Sequence, residues 1–386
     1  YRINQKEGKF DYITPRAPKG EKPYRFNWQT PILLSSHNQD ILYMGSEFLH
    51  RSMNQGETWE RISGDLTNGA KEGNVAFGTL TTISESKFQF GLLYVGSDDG
   101  KIHVSKDGGA SWQLISGNLP QNLWVSRVAA STHKKERVYA TLNGYRNDNF
   151  ESYAFVSEDF GATWNPISNG LTEAVNVIVE DSANENILYV GTDNGLFISL
   201  DKGITWQDFS NGMPKVAVHD AVIQTKVKEL IVGTHGRSLY KIDISRVQEL
   251  TKEVLAKNLH LFKVNDRTKS DRWGTQNYAW GKPSEPSQTI WFYSNGDGMV
   301  NVSITNGAGM IVHAQKVEAK KGLNSFNFDY SMPKNVADNW NKKDKNIKLK
   351  AAENQKIYLP VGKYKLTISQ DKSSESKSFE IVNPKK

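Results

Sequence analysis

Charged and aromatic residues recur at two kinds of position in this chain: the tight turn after an apolar strand, and the start of the next strand. Carboxylates in such turns could supply the acid and base of glycoside hydrolysis, which needs two positioned carboxyl groups. Arginines and flat rings could instead bind an anionic or sugar-containing ligand. The candidate ligand-binding residues are Asp98, Asp99, Trp124, Arg127, Tyr145, Arg146, Asp193, Asn194, His219, Asp220, His235 and Arg237.

Several other chemistries have little support in the sequence. The chain has no cysteine, which excludes disulfides, a thiol nucleophile and cysteine-ligated zinc. Its eight histidines are scattered and form no H-E-x-x-H motif, and no G-x-S-x-G motif is present. We therefore expect no cofactor and no metal, and we leave the catalytic residues unassigned.

The turns belong to a repeated unit with the pattern S-x-D-x-G-x-T-W. Its tryptophans are spaced by 53, 52 and 42 residues, a period typical of four-stranded propeller blades. The key residues of the four copies are Asn54, Gly56 and Trp59; Asp107, Gly109 and Trp112; Asp159, Gly161 and Trp164; and Asp201, Gly203 and Trp206.

A structural role explains this motif without a substrate. It falls between the third and fourth strands of each unit, where an aspartate can accept hydrogen bonds from its own turn and glycine can adopt positive φ. The tryptophan can pack beneath the turn. We therefore expect the four indoles at equivalent buried positions under these turns, and no catalytic role for the aspartates.

The motif resembles the Asp-box, or BNR repeat, of sialidases, some glycoside hydrolases and sortilin-type propellers. The wider segments 77–83, 124–128, 175–181 and 231–237 are similar to large secreted bacterial proteins described as sortilin-like or BNR-repeat proteins. Many of these are named glycosyl hydrolases from the repeat alone. The resemblance covers residues 1–245 and implies a propeller in a secreted, periplasmic or cell-surface protein, but no defined reaction.

The sequence predicts an all-β protein with two domains. Residues 1–245 are expected to form the propeller, residues 246–286 a helix and linker, and residues 287–386 an Ig-like β-sandwich, because their apolar pattern has a period of two. The predicted blades are residues 24–63, 75–116, 124–168, 172–210 and a three-stranded 215–245.

The first residues of the chain, 1–14, read as the two outer strands of another blade. We expect the chain to be the C-terminal part of a longer propeller region. Two arrangements remain open at this stage: the N-terminal strand could complete the fifth blade and close a six-bladed ring, or an upstream portion could supply more blades.

Charge is distributed unevenly, with a balance of −4 over residues 1–245 and +10 over residues 246–386. The basic half lacks a nucleic-acid fold signature, and no apolar run is long enough to span a membrane. We expect a binding or scaffold protein whose partner is a protein, a peptide, a glycan or an N-terminal portion of the same protein. The alternative is a glycoside hydrolase, sialidase-like or of another BNR-repeat type, with some catalytic residues upstream.

Overall fold

A computed structural model describes residues 1–72, 76–276, 278 and 280–384 and divides the chain into two units, Tyr1–Gln248 and Glu249–Lys386. Nearly all regular structure is β-strand, as the sequence predicts. Residue 75, at the start of the predicted second blade, and residues 385–386, at the end of the predicted sandwich, lie outside the described residues.

The first unit consists of small antiparallel sheets whose strands follow one another in sequence order. A two-stranded sheet contains β1 (Arg2–Asn4) and β2 (Lys9–Asp11). Blade 1 contains β3 (Ile32–Leu34), β4 (Leu42–Gly45), β5 (Leu49–Ser52) and β6 (Glu60–Arg61). Blade 2 contains β7 (Leu80–Glu85), β8 (Leu93–Ser97), β9 (Ile102–Ser105) and β10 (Gln113–Leu114).

Blades 3 to 5 repeat this order. Blade 3 contains β11 (Trp124–Ala130), β12 (Val138–Gly144), a 3₁₀ turn η1 (Tyr145–Asn147), β13 (Asn149–Ser157) and β14 (Asn165–Pro166). Blade 4 contains β15 (Val175–Glu180), β16 (Leu188–Thr192), β17 (Gly195–Ser199) and β18 (Gln207–Asp208). Blade 5 has three strands, β19 (Val218–Gln224), β20 (Glu229–Thr234) and β21 (Leu239–Asp243), and is followed by helix α1 (Ser245–Gln248).

The core of this unit lies between neighbouring blades. The second strands β8 and β16 are buried along their whole length, which explains why they read as unbroken apolar runs rather than as alternating patterns. One buried cluster joins Tyr94 of blade 2 to Val128 of blade 3, and another joins Tyr139 of blade 3 to Ile178 of blade 4. The buried apolar clusters of this unit thus span the contacts between neighbouring blades.

The four repeat tryptophans occupy equivalent positions, and each also contacts the preceding blade. Each indole is half-buried, and its Nε1–H donates to the carbonyl of an isoleucine in the preceding sheet. The pairs are Trp59 with Ile13 at 2.6 Å, Trp112 with Ile62 at 2.9 Å, Trp164 with Ile115 at 2.8 Å and Trp206 with Ile167 at 2.6 Å. The motif thus joins one blade to the one before it, and its tryptophan is only half-buried where the sequence predicted a buried side chain.

The aspartate of each motif organises its own turn. In the third copy, Asp159 accepts hydrogen bonds from the Ser157 hydroxyl and from the backbone N–H and hydroxyl of Thr163, at 2.7–2.9 Å. These bonds, led by the Thr163 hydroxyl, lower the pKa of Asp159 to about 2. Next to it, Gly161 has φ of +89° and lies against Ile115 of the preceding blade, so a side chain there would be both strained and crowded.

Replacing Asp159 with alanine should lower the free energy of unfolding by about 1–2 kcal/mol, because the turn loses the acceptor for three donors. Since the folded pKa is depressed, the aspartate's contribution is present above the unfolded pKa of about 4 and is lost as the pH falls through about 2. Denaturant unfolding at pH 7 and at pH 2.5 tests this. If the variant lost the same free energy of unfolding, relative to the parent chain, at both pH values, the result would contradict this account.

A tyrosine occupies the same place in the second strand of blades 1 to 4, and its hydroxyl meets a different environment in blade 2. Tyr43 donates to Glu85 at 3.1 Å and Tyr139 to Glu180 at 2.8 Å, each carboxylate coming from the following blade. Tyr94 has no hydrogen-bond partner among the described residues, although its hydroxyl is buried. Blades 2 and 4 supply Glu85 and Glu180 from equivalent positions of their innermost strands, but blade 3 has Ala130 at that position. The Tyr94 hydroxyl therefore has no carboxylate to donate to.

We therefore expect Tyr94→Phe to leave stability unchanged or to raise it, because the substitution removes a buried hydroxyl that makes no bond. Tyr139→Phe is the matched control, and it should cost about 1–2 kcal/mol because it removes a buried donor to Glu180. Chemical denaturation of the two variants beside the parent chain compares them directly. Equal losses in both would refute this account.

The N-terminal hairpin occupies, next to blade 1, the place that the third and fourth strands of a preceding blade take in the later repeats. Strands β1 and β2 pair with each other, and Ile13 lies against Gly56 and the Trp59 indole as Ile62 and its equivalents do in later blades. Strand β21 pairs only with β20 among the described strands. The N-terminal strand therefore does not complete blade 5, and the six-bladed closure considered from sequence is not the arrangement in this structure.

The second unit has one apolar core flanked by two sheets. Helix α2 (Lys252–Leu255) is capped by the Thr251 side chain and precedes the strands. One sheet contains β22 (Leu259–Leu261), β24 (Gln288–Ser294) and β27 (Gly322–Phe328). The other contains β23 (Arg267–Thr268), β25 (Gly298–Asn306), β26 (Ile311–Ala319), β30 (Gly362–Gln370) and β31 (Ser373–Val382).

Both sheets contribute to a single buried cluster, for example through Phe292 and Leu366. A short two-stranded pair, β28 (Ser331–Met332) with β29 (Ile357–Tyr358), and helix α3 (Lys334–Lys343) complete the unit. Strands begin at Leu259 and Arg267, inside the segment that the sequence assigned to a linker. The Ig-like identity of this unit stays a prediction.

Candidate functional site

A cavity of about 800 Å³ in the first unit is lined by residues from all five blades. The lining comes from the innermost strands β7, β11 and β19, from the segment that enters β3, and from the loops that join second to third strands. These include the two kinds of position at which the sequence placed its candidate ligand-binding residues. The cavity therefore brings together side chains from blades that are far apart in sequence.

Eight of the twelve candidate ligand-binding residues line this cavity and four do not. Those in the lining are Trp124, Arg127, Tyr145, Arg146, Asp193, His219, Asp220 and His235. Those outside it are Asp98, Asp99, Asn194 and Arg237. Asn194 and Arg237 are exposed turn residues.

The two adjacent aspartates of blade 2 are used by the fold. Asp98 is buried and accepts from the backbone N–H groups of Gly78 and Thr79, both at 3.0 Å. Asp99 is buried as well and accepts from the Ser97 hydroxyl at 2.6 Å and from the Asn68 N–H at 2.6 Å. Burial raises the pKa of Asp98, although its hydrogen bonds oppose that shift. Both carboxylates are thus occupied within the protein.

Blade 3 contributes an arginine held between aromatic rings. The Arg146 guanidinium carbon lies 4.1 Å from the centroid of the Trp124 ring and 5.1 Å from that of Tyr145. The turn that carries it is fixed by the Asn143 side chain, which accepts from the Tyr145 N–H at 3.0 Å, and it ends at Asp148 in the left-handed region. Arg146 has no acidic partner among the described residues, so its donors remain available to a ligand.

An ion pair joins blade 3 to blade 5. Arg127 Nη2 lies 2.5 Å from Asp220 Oδ1, and the two side chains are 32% and 67% exposed. Each residue directly follows a register shift in its strand, in β11 after Val125 and in β19 after Val218. Such bulges change the direction of the side chains that follow them. The two bulges lie at equivalent positions of the repeat, so Arg127 and Asp220 are equivalent residues of blades 3 and 5.

Blades 3 and 4 are joined by a chain of amide hydrogen bonds. Asn143 Nδ2 donates to Asn176 Oδ1 at 2.7 Å, and Asn176 Nδ2 donates to Asp193 Oδ1 at 2.8 Å. On the blade 5 side, the rings of His219 and His235 lie 5.4 Å apart. Desolvation, followed by the neighbouring His235, lowers the pKa of His219, which favours its neutral form at pH 7.

Sequence reasoning missed part of the lining. Asn176, Ser126, Thr81 to Ile83 and Gln29 to Ile32 contact the cavity without having been named as candidates. A usable signal was present, because Asn176 and His219 occupy the same position of the innermost strand, one residue after Val175 and Val218. Aligning the repeats on those valines, rather than on the tryptophans, identifies Asn176.

Neither a metal cluster nor a membrane-spanning helix is found within the described ranges. No group of three or more histidine, aspartate or glutamate side chains there is arranged to hold a metal ion. No helix in that part of the chain is both long and apolar enough to cross a bilayer.

Residues 47–173 match the family model described as sortilin, neurotensin receptor 3. This segment contains blades 2 and 3 and the last two strands of blade 1. No curated protein matches the sequence. The predicted resemblance to sortilin-type Asp-box repeats is confirmed over the matched segment.

Three solved structures are similar to the chain. An ancestral GH74 enzyme is 16% identical with a TM-score of 0.45, and the match covers 77% of this chain and 39% of that one. A GH74 xyloglucanase from Xanthomonas campestris is 12% identical with a TM-score of 0.45, and the match covers 89% of this chain and 52% of that one. The extracellular domain of a putative hybrid two component system from B. thetaiotaomicron is 11% identical with a TM-score of 0.44, and the match covers 99% of this chain and 47% of that one. The present chain thus spans about half or less of each of these proteins. At this level the similarities carry no argument about activity.

Proposed function

Because the chain carries a sortilin-like Asp-box repeat propeller, we propose that it is a non-catalytic binding or scaffold protein. It acts as a secreted, periplasmic or bacterial cell-surface protein, and its cavity binds a peptide, a protein segment or a glycan. The observation that carries the proposal is Arg146, which lies against two aromatic rings at the cavity without an acidic partner among the described residues.

The aromatic rings give the cavity an adaptable contact surface. Tyr145 is 51% exposed, and Trp124 beside it is partly exposed. Flat rings of this kind cover apolar side chains or sugar faces at a low entropy cost, because few torsions are frozen on binding. Arg146 adds a planar, permanently charged donor set suited to a carboxylate or sulfate. The combination favours a ligand that is part flat and apolar and part anionic.

The carboxylates of the cavity favour binding over hydrolysis. Asp193 and Asp220 are the acidic residues of its described lining. Asp220 is paired with the Arg127 guanidinium, and Asp193 accepts from the Asn176 amide. Glycoside hydrolysis by the usual route needs one carboxyl group that keeps its proton and a second that is free to attack or to activate water. The hydrolase alternative would therefore need acids from outside this lining.

The second unit is best explained as an accessory module. We assign residues 287–386 to an Ig-like β-sandwich, preceded by the segment 246–286, because two antiparallel-rich sheets share one apolar core there. Its interaction partner is a protein, a peptide or a glycan rather than a nucleic acid. Solving the structure of this unit alone tests whether its strand order is that of an Ig-like fold.

Binding should depend on the aromatic-arginine cluster. Arg146→Ala is expected to weaken binding of a hit from peptide and glycan arrays by about 10-fold or more, because a charge-assisted contact is worth about 1.5–3 kcal/mol. Tyr145→Ala should also weaken binding, because it removes an exposed ring beside Arg146 that can cover the ligand. Arg237→Ala is the matched control, since Arg237 is an exposed turn arginine outside the lining. Titration calorimetry with the same hit compares all three variants.

Product analysis on the same arrays separates binding from hydrolysis. Bound ligand should be recovered intact after prolonged incubation with the parent chain. Cleavage that disappears in Asp193→Asn, while Asn194→Ala keeps it, would replace the binding function with the hydrolase alternative. Equal binding by the Arg146 and Arg237 variants would remove the cavity from the proposal.

A further inference from the structure

A chain of two side-chain amides in the cavity wall has a fixed direction. At one end, Asn143 Oδ1 accepts from the Tyr145 N–H at 3.0 Å. Asn143 Nδ2 then donates to Asn176 Oδ1 at 2.7 Å, and Asn176 Nδ2 donates to Asp193 Oδ1 at 2.8 Å. A backbone N–H can only donate, and an ionised carboxylate can only accept. Both ends therefore require the same orientation of the two amides.

Burial makes this orientation costly to lose. Asn143 and Asn176 are only 6% and 8% exposed. An amide turned the other way would place its NH2 group against a donor or its oxygen against the carboxylate, with little water nearby to replace the lost bond. The chain therefore behaves as one unit, which runs from the loop after β16 in blade 4, through β15, to the end of β12 in blade 3.

Asn176 departs from the repeat at a position that otherwise joins neighbouring blades. The residue at the bulge of the innermost strand is Thr81 in blade 2, Ser126 in blade 3 and Asn176 in blade 4. The Thr81 hydroxyl donates to the Val125 carbonyl at 2.7 Å, and the Ser126 hydroxyl donates to the Val175 carbonyl at 2.8 Å. The Asn176 amide bonds instead to the side chains on either side of it. Blade 4 thus uses for the cavity wall a position that blades 2 and 3 use to hold the next blade.

The other end of the chain fixes the turn that carries Arg146. Tyr145 is the first residue of η1, and Trp124 is the cross-strand neighbour of Asn143. The Arg146 guanidinium carbon lies 4.1 Å from the centroid of the Trp124 ring. Because the guanidinium is planar, the direction of its donors depends on how it lies on that ring. The bond from Tyr145 to Asn143 therefore holds the start of the turn in the place that this stacking needs.

We propose that Asn176 and Asp193 of blade 4 are positioning residues, which hold the Tyr145–Arg146 turn of blade 3 in its ligand-binding conformation through Asn143. This role rests on the binding function proposed above. It reverses the expectation from charge alone. A carboxylate in the wall repels an anionic ligand, so removing Asp193 should strengthen binding if the residue acted only through its charge. If Asp193 positions the turn, its removal should weaken binding instead.

Amide hydrogen exchange tests this role without any ligand. In the full chain, Asn176→Ser and Asp193→Ala should each speed exchange of the Tyr145 N–H by about 5-fold or more, the equivalent of one weakened hydrogen bond. Both variants should fold, because Asp193 is partly exposed and serine is the residue that blade 3 has at the position of Asn176. Asn194→Ala is the matched control, since Asn194 is the exposed neighbour of Asp193 outside the cavity lining.

Binding of hydrocinnamate, a probe with one flat ring and one carboxylate, gives the second measurement. Asn176→Ser and Asp193→Ala should each weaken binding by about 5-fold, and the double variant should bind no more weakly than either, because all three break the same chain. Tighter binding by Asp193→Ala, additive losses in the double variant, or unchanged Tyr145 exchange in both single variants would overturn the positioning role. Faster Tyr145 exchange in the variants, with no binding of the probe to the parent chain, would keep that role and overturn the proposed ligand class.

Discussion

Arg137→Met should lower the free energy of unfolding by about 3–5 kcal/mol, the largest loss we expect from a polar substitution in this chain. The Arg137 side chain is 6% exposed and contacts Glu158 at 2.6 Å, Glu180 at 3.2 Å and Glu185 at 3.1 Å. Glu180 belongs to blade 4, and its side chain is only 3% exposed. Without the arginine, that carboxylate stays buried beside hydroxyl donors but without a cation.

Two comparison variants separate burial from charge. Lys134→Met removes another cation from Glu158, but both partners of that pair are more than 40% exposed, so the loss should stay below about 1 kcal/mol. Adding Glu180→Gln to Arg137→Met should recover part of the stability, because the unpaired buried charge is removed. Urea unfolding of the four proteins gives the comparison. Similar losses in the Lys134 and Arg137 variants would contradict the burial argument.

Gly191→Ala should cost about 1–3 kcal/mol through overpacking at the contact between blades 4 and 5. The new methyl group would lie 2.5 Å from Val218 Cγ1 and 2.8 Å from the Val218 carbonyl oxygen. The carbonyl cannot move without disturbing β19, because the neighbouring residues of that strand are hydrogen-bonded to β20. The strain should therefore spread along the blade instead of being absorbed by one rotamer.

Gly233→Ala is the matched control for this substitution. Gly233 occupies the equivalent position of blade 5, and an added methyl group there meets nothing closer than 3.6 Å. We expect no loss of stability, and a gain of up to about 1 kcal/mol, because alanine restricts the unfolded chain. Thermal unfolding of dilute samples measures both variants. Equal losses at the two glycines would show that strand conformation, rather than the spacing between blades, limits substitution at this position.

The blades and their turns were predictable because the signals are local. The pattern S-x-D-x-G-x-T-W fixes a turn through bonds that span four residues, such as Asp159 with Thr163, so it can be identified without knowing the rest of the fold. Pairs such as Asp98 and Asp99 look like available carboxylates in sequence. Their donors, Gly78 and Asn68, lie 20 and 31 residues away, and only the structure shows that the carboxylates are used.

The candidate site was predictable in part of its membership but not in its pairing. The repeat shows which loops share a face, and this placed Arg127 and Asp220 in the same candidate set. Their ion pair depends on the curvature that successive blades accumulate over 93 residues, which no local pattern encodes. The same holds for the indole N–H of Trp164, whose acceptor Ile115 lies 49 residues earlier. Contacts between repeats need the angle between them as well as their spacing.

The direction of those indole contacts has a consequence for how the chain assembles during synthesis. Each Asp-box turn docks on an isoleucine that was translated about one blade earlier, as Trp206 does on Ile167. Glu85 and Glu180 likewise reach back to the tyrosines of the preceding blade. A blade leaving the ribosome therefore finds its docking site already made, and it completes the older blade as it folds. Growth can proceed vectorially from the N-terminus, with each nascent repeat templated by its predecessor.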